Sequence, residues 1–424
     1  MRSLRILMFT TFYPPYSFGG DAVGVQRMAR ALADKGHKVT VVHEEDAYLK
    51  LGGKVSGDPP ADGVEVIGLR AKFGTLSLLL TQQTGRPVVH RAFIQQIMDR
   101  EPWDIIWHNN TSLVGGPGLL PMGDALKIYE AHEHWLVCPT HVLWKNNAEV
   151  CEKKSCFACQ TLSYKRPPQL WRYTGALDKA LDHMDLIVSK SVFSANKHKA
   201  YGLKQPMVPL PYFLDDLDLA AAPAPADHPR PFFLFVGRLE KIKGLQDVFP
   251  IFDGPGASDL IILGDGEYRA ELERLAAGNP RIIFLGRKPL EELTAYYRAA
   301  QGLIVPSICY ETFGIILIES FRLGTPVIAR RLGPFPEIVE AADGGVLFET
   351  DADLRAAITA FEQDPEKKAR MGARARAAFE AFWREDKVLA QYGAELARAA
   401  HRKGDTALAA DLDAGAFEAG ASSV

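Results

Sequence analysis

Residues 5–43 read RILMFTTFYPPYSFGGDAVGVQRMARALADKGHKVTVVH. Two short aliphatic and β-branched runs, 5–9 and 38–43, flank a segment of different period. Within DAVGVQRMARALADKG, Val25, Met28 and Leu32 recur at helical spacing, and Gly36 supplies a natural helix stop. Strand, helix and strand in such close succession form a parallel pair joined by a crossover. The stretch therefore predicts the first βαβ unit of a doubly wound domain.

The same alternation continues along the 424-residue chain. Further strands are predicted at 64–69, 104–108, 126–130 and 185–189. Residues 217–231, LDLAAAPAPADHPRP, are rich in Ala and Pro and lack periodicity, as a linker does. A second series follows at 232–236, 259–263, 281–285, 302–306, 326–330 and 345–348. No short-period repeat is present. The expected organisation is an N-terminal Rossmann-like domain over 1–216, the linker, and a second such domain over 232–382. A helix over 383–402 is expected to cross back to the first domain. The tail 403–424, small and weakly hydrophobic, is expected to be disordered. The predicted fold is α/β, two doubly wound domains facing a central cleft.

With 47% hydrophobic and 24% charged residues, the chain has the balance of a soluble globular protein with substantial cores. A net charge of −3 gives no reason to expect nucleic acid. No window approaches the roughly 18 uninterrupted apolar residues of a membrane span. Pro14 and Pro15 follow the apolar start at once, without a small-residue cleavage site, so the expected compartment is the cytoplasm. Five cysteines in a chain of this size do not make a disulfide framework.

In open parallel sheets ligands bind at the carboxyl ends of strands, so the loops there carry the chemistry. FVGRLEKIKG (235–244) follows the first strand of the second half, with Arg238 and Lys243 between Gly237 and Gly244. A guanidinium fork and an ammonium at such a position suit a diphosphate, whereas an arbitrary pair of this kind is more often two solvated cations. ILGDGEYRAELERLA (262–276) repeats the strand–turn–helix pattern with Gly264 and Gly266, a weak signal alone. ETFGIILIES (311–320) keeps Glu311 and Glu319 in an otherwise apolar stretch. Carboxylates accept hydrogen bonds from paired hydroxyls, as sugars offer, and Gly314 permits close backbone approach. The bland alternative makes Glu311 a helix-dipole acid and Glu319 a partner of Arg322.

The ordered set GRLEKIKG, GDGE, FLGRKPLEELTAYYRAA, the Glu311/Glu319 pair and LGTPVIARRLGPFPEIVE, with FYPPYSFGGDAVGVQRMARALADKGHKVTVV at the start, resembles retaining glycosyltransferases of family 4, which have the GT-B fold. The resemblance covers nearly the whole chain. It implies a sugar transfer from a nucleotide-diphosphate sugar to a glycan or lipid-linked acceptor, with bacterial cell-surface polysaccharide synthesis as the default setting. It implies that Arg238 and Lys243 hold the diphosphate and that Glu319 accepts from the ribose. Glu311 would meet the transferred sugar, with the amides of Phe313, Gly314 and Ile315 close by. Gly19 and Gly20 would let the N-terminal loop approach, Gly237 would flank the phosphates, and Gly286 with Arg287 would lie near the base. His132, in IYEAHEHW, aligns with the family histidine that faces the sugar; without the resemblance it reads as a structural histidine. A glycosidase-like double displacement needs two carboxylates about 5 Å apart, and these two are committed to binding. The family mechanism is instead front-face substitution, with no metal required because cationic side chains and helix dipoles neutralise the diphosphate. Asp216-Leu217-Asp218 resembles a metal-binding DxD but sits at the linker, and it reads as solvated or capping.

Residues 138–159, CPTHVLWKNNAEVCEKKSCFAC, place Cys138, Cys151, Cys156 and Cys159 at a spacing that fits a tetrahedral structural zinc site. A reducible disulfide pair, an iron–sulfur cluster and free thiols are the competing readings. Cys309 stands apart and reads as packed. The aromatic and basic residues of YKRPPQLWRY (164–173), with Trp144 and Lys145, fit a lid over the acceptor, a peripheral contact at the inner membrane face, or a packed insertion. Two rival functions stand beside the transferase: a non-catalytic nucleotide-sugar-binding partner and a GT-B nucleotide-sugar epimerase.

Overall fold

The structure is a computed structural model that describes residues 2–55, 62–254 and 256–418. They form two compact units, Met1–Pro211 with Val388–Val424, and Tyr212–Lys387.

In the first unit the strands are β1 (Arg5–Phe9), β2 (Lys38–Glu44), β3 (Glu65–Leu69), β4 (Ile105–His108), β5 (Leu126–Ala131), β6 (Trp144–Lys145), β7 (Glu149–Val150), β8 (Leu186–Ser189) and β9 (Val208–Pro209). Seven of them make one parallel sheet in the order β3-β2-β1-β4-β5-β8-β9, and β6 with β7 form a small antiparallel hairpin. Ile6, Leu7, Met8 and Phe9 are buried in succession, the mark of a strand covered on both faces. One cover is the helix Gly20–Asp34, which buries Val25, Met28 and Leu32 as its spacing predicts.

In the second unit β10 (Phe232–Val236), β11 (Asp259–Leu263), β12 (Ile282–Gly286), β13 (Leu303–Val305), β14 (Val327–Arg330) and β15 (Gly345–Phe348) make a parallel sheet in the order β12-β11-β10-β13-β14-β15. Side chains alternate between two cores. Leu234 and Ile261 pack with Leu317 and Phe321, whereas Phe233, Phe235 and Ile262 pack with Phe252 and Phe361. The strand order reverses between β10 and β13, the topological switch point at which such sheets bind ligands.

Residues 217–231 carry neither helix nor strand, but they are tied down: the Ala226 amide donates to the Ala295 carbonyl at 2.9 Å and Arg298 to the Ala222 carbonyl at 2.9 Å. They belong to the second unit, which opens at Tyr212. The last long helix spans Glu385–Lys403, and from Val388 on it is part of the first unit.

The expectation of a disordered tail is overturned over the described residues. The helix Thr406–Asp413 is capped by Asp405, whose carboxylate accepts from the Leu408 amide at 3.0 Å. Leu408 and Leu412 make an i,i+4 stripe that is buried together with Phe417. Phe417 stacks 5.7 Å from His37, whose Nε2 meets the Ala416 carbonyl at 2.8 Å. Few large apolar residues were enough because all of them fall on one face. The remainder of that expectation, 419–424, lies outside the described residues. Phe417→Ala is expected to lower the unfolding free energy by about 3–5 kcal/mol, the usual cost of emptying a buried phenylalanine site. Urea titration checks this, and an unchanged midpoint would return the segment to the status of a loose tail.

Candidate active site

At the switch point of the second unit, the loops after β10, β11 and β13 interlock. The Leu239 amide donates to the Asp265 carbonyl at 3.0 Å, and the Ile308 amide to the Ile242 carbonyl at 2.9 Å. Glycine is needed at these crossings. A Cβ on Gly264 would lie 1.8 Å from the Gly237 carbonyl oxygen, and one on Gly244 would lie 2.1 Å from that of Pro306. Both residues also hold positive φ, 146° and 69°.

This lattice brings Lys243 and Glu311, 68 positions apart, to a 2.6 Å ion pair in which each side chain is about a quarter exposed. Ser307 adds a hydroxyl donor to Glu311 Oε1 at 3.2 Å. Burial pushes the Glu311 carboxyl up, but Lys243, Ser307 and Arg238 more than offset it, so the carboxyl titrates below its ordinary range. Burial likewise pulls the Lys243 ammonium down, and Glu311 restores it to above its ordinary value. Both groups are charged at neutral pH. Arg238 is more than half exposed and pairs with Glu240 at 2.9 Å.

Glu319 lies in the second turn of the helix Ile315–Arg322, which starts at Gly314 (φ 108°) without a side-chain cap. Its carboxylate accepts from the buried Tyr297 hydroxyl at 3.1 Å. The Arg322 partner allowed for it in sequence goes elsewhere, to Asp215 at 3.5 Å. Leu317, Ile318 and Phe321 bury the helix's other side, and Phe313 packs beneath Tyr212 at 5.7 Å. Ile315 is half-buried. Gly286 ends β12 and accepts the Gly264 amide at 2.9 Å, with Arg287 exposed beyond it. Asp216 pairs with Arg376 at 2.8 Å and Asp218 accepts the Ala220 amide at 2.9 Å, so the DxD is engaged in pairing and capping. Cys309 is buried, and its thiol is pushed up to about 12 by that burial.

The first unit places His132 directly after β5, buried, with Nε2 2.9 Å from Asn109 Oδ1. Asn109 follows β4 and donates from Nδ2 to the Phe9 carbonyl at 3.4 Å, which orients Oδ1 toward the histidine. Nε2 therefore carries the proton and donates it. Beneath it Glu130 accepts from Trp107 Nε1 (2.7 Å), from the Tyr392 hydroxyl (2.9 Å) and from the fully buried Lys190. Burial pulls the His132 pKa down to about 4, so the ring is neutral at pH 7. Gly19 (φ 131°) caps the helix Gly20–Asp34, and a Cβ on Gly19 or Gly20 would meet nothing within 4 Å.

Cys138, Cys151 and Cys159 are buried, Cys156 half-buried, and none is in a disulfide. Cys159 Sγ accepts the Asn146 amide at 3.2 Å, and Cys138 Sγ lies 3.2 Å from Thr140 Oγ1. Burial, then proximity to the other three sulfurs, pushes the Cys151 thiol up to about 11. The four sulfurs thus share one neighbourhood, although no three of them come within 4.8 Å of one another. The loop that follows is largely packed: Trp144 and Trp171 are buried, and Arg172 stacks on Trp135 (5.1 Å) and Trp171 (4.6 Å). Trp144 and Trp171 are committed to the interior and do not form a lid.

Sequence reading missed Ser307, Asn109 and Tyr297, which orient Glu311, His132 and Glu319. Asn109 carried a usable signal, a polar HNNTS run directly after a strand. Tyr297 carried none, since its hydroxyl reaches Glu319 only through tertiary packing.

Residues 220–378 match the family described as glycosyl transferases group 1. Among relatives, an uncharacterized 42.6 kDa protein in the cps region of Klebsiella pneumoniae is 25% identical over 359 residues, 79% of this chain and 87% of that one. Among solved structures, the sucrose-phosphate synthase of Thermosynechococcus elongatus superposes with a TM-score of 0.71 at 19% identity, over 95% of this chain and 100% of that one. HepE of Anabaena in complex with UDP-glucose gives 0.62 at 17% identity, over 95% and 100%. The fold is thus the two-Rossmann GT-B class.

Four buried imidazoles of the first unit are pushed down by burial: His43, His132 and His198 to about 4, and His108 to about 3. Each folded value lies below the unfolded one, so the stability they contribute is complete above about pH 6.5 and is lost as pH falls toward 4. Glu44, raised by burial to about 8, acts in the opposite sense, but it is one group against four. Thermal unfolding followed from pH 7 to 4.5 should show a falling midpoint with uptake of more than one proton. A flat profile would mean that these rings are hydrated.

Proposed function

We propose that this chain is a retaining, family 4 glycosyltransferase that moves a hexose from a nucleotide-diphosphate sugar to a glycan or lipid-linked acceptor in bacterial cell-surface polysaccharide synthesis. The observation that carries this reading is the Lys243–Glu311 pair at the switch point of the second sheet. An ammonium has three donors and a guanidinium five. Lys243 spends one on Glu311 and Arg238 one on Glu240, and the others suit the two phosphates. Glu311 reads hydroxyls of the transferred sugar, and Glu319 the ribose, with Phe313, Gly314 and Ile315 offering amides at a helix start. Gly237, Gly286 and Arg287 flank phosphate and base, while Gly19 and Gly20 leave room for the donor phosphate or acceptor. Neutral His132 offers a hydrogen bond to the sugar without placing charge beside it.

The bond from anomeric carbon to phosphate oxygen breaks and leaves its electron pair on the diphosphate. The acceptor oxygen bonds on the same face, and its proton passes to the departing phosphate oxygen, so configuration is retained. The cations stabilise the leaving charge. That HepE is solved with UDP-glucose supports a nucleotide-sugar donor, and the cps-region relative supports the polysaccharide setting. The cytoplasmic, membrane-peripheral placement draws on Phe73, Leu76 and Leu79, exposed beside Lys72 in the first unit. No described helix is long and apolar enough to cross a membrane.

A panel of labelled nucleotide sugars, with free and vesicle-borne acceptors, tests the reading. We expect transfer with retained configuration that survives chelation, and about a 100-fold loss or more in Arg238→Ala and Glu311→Ala. Undiminished transfer in both variants would remove the proposed site. Free nucleotide diphosphate without glycoside would point to the epimerase.

The same reading assigns a structural zinc to Cys138, Cys151, Cys156 and Cys159, whose three buried and one half-buried thiols and amide-to-sulfur bond suit a closed four-thiolate site. Protein purified without chelator should carry one zinc per chain, lost in Cys151→Ser. Absence of zinc in the unsubstituted protein would overturn the assignment.

A further inference from the structure

A second group of ligand-type side chains lies in the first unit, away from His132 and the cysteines. Glu44 ends β2, Asp46 opens the helix Glu45–Lys50, and His90 precedes the helix Arg91–Asp99. Their ligand atoms all lie within 4.8 Å of one another. Glu44 and His90 are buried, with side chains only 1% and 10% exposed.

Each carboxylate is held by a backbone amide. Glu44 Oε1 accepts the Asp46 amide at 3.3 Å, and Asp46 Oδ2 accepts the Ala71 amide at 2.8 Å. Gly74 makes room for Asp46, since a Cβ there would lie 2.4 Å from its Cγ. Opposite them, His90 Nε2 is buried with no hydrogen-bond partner, and Glu44 Oε2 at 3.6 Å is too far to be one. A buried imidazole nitrogen that lacks a partner is rare, because its desolvation goes uncompensated. Two carboxylates and an imidazole lone pair converging on one point are a cation's donor set.

We propose that Glu44, Asp46 and His90 bind one divalent first-row transition ion. One nitrogen and two oxygen donors suit Mn²⁺ or Zn²⁺, whereas Mg²⁺ and Ca²⁺ prefer oxygen alone. Three protein ligands leave positions for water. The ion ties the end of β2 and the helix start after it to the start of the helix Arg91–Asp99, two segments remote in sequence, while Asp46 also holds the Ala71 amide in the turn after β3. It stands three strands from β5 and His132, so the transfer chemistry proposed above does not depend on it.

Mn²⁺ is the probe, because thiolate sites select softer ions. Metal-stripped full-length protein should bind one Mn²⁺ by calorimetry with a rise in unfolding temperature. His90→Ala and the near-isosteric Glu44→Gln should each weaken binding at least tenfold, and Cys151→Ser should leave it intact. Pulsed electron paramagnetic resonance on the unsubstituted protein should detect one directly coordinated imidazole nitrogen, a readout independent of how the variants fold. No saturable Mn²⁺ binding, or bound Mn²⁺ without a nitrogen ligand, would overturn the site, whatever the outcome for sugar transfer.

Discussion

Everything functional here follows from strand polarity. A parallel sheet needs a crossover after each strand, so all carboxyl ends reach one edge and their loops are neighbours whatever their separation in sequence. In the second unit this is what sets the loop after β10 against the loop after β13, and Lys243 against Glu311. The glycines at 244, 264 and 266 are the cost of bringing three such loops into backbone contact. In the first unit the same edge brings Asn109 from β4 beside His132 from β5.

Two charged pairs serve different ends. Lys243 and Glu311 keep about a quarter of their side-chain surface open, so water and ligand can reach them. Glu130 and Lys190 are almost wholly enclosed, with Tyr392 and Trp107 completing the carboxylate's hydrogen bonds. Removing one partner of such an enclosed pair costs about 3–5 kcal/mol, because the survivor is left charged in an apolar place. The open pair suits exchange with a ligand, and the closed pair fixes the floor under His132.

The strands of both sheets, apart from the two-residue β9, were legible because runs such as LIIL and VTVV are buried on both faces and cannot be mistaken for solvated loops. The motif loops were legible because Gly, Arg, Lys and Glu after a strand are unusual there. The rest depended on distance in sequence. Tyr297 meets Glu319 from a neighbouring helix. His90 meets Glu44 across 46 positions, and the HEED run around Glu44 reads in one dimension as a helix start. The ordered segment after Lys403 was missed because its alanines dilute the apolar signal, although Leu408, Leu412 and Phe417 share one buried face.

The polypeptide leaves its first unit at Pro211 and re-enters it at Val388. The helix that re-enters supplies Tyr392, the hydroxyl that both accepts from Lys190 and donates to Glu130. Anyone grafting a different second unit onto this protein must therefore splice twice, at both crossings. A chimera joined only at the Ala/Pro stretch would take its closing helix from the foreign parent, and the first unit would inherit a mismatched lining around a buried charge.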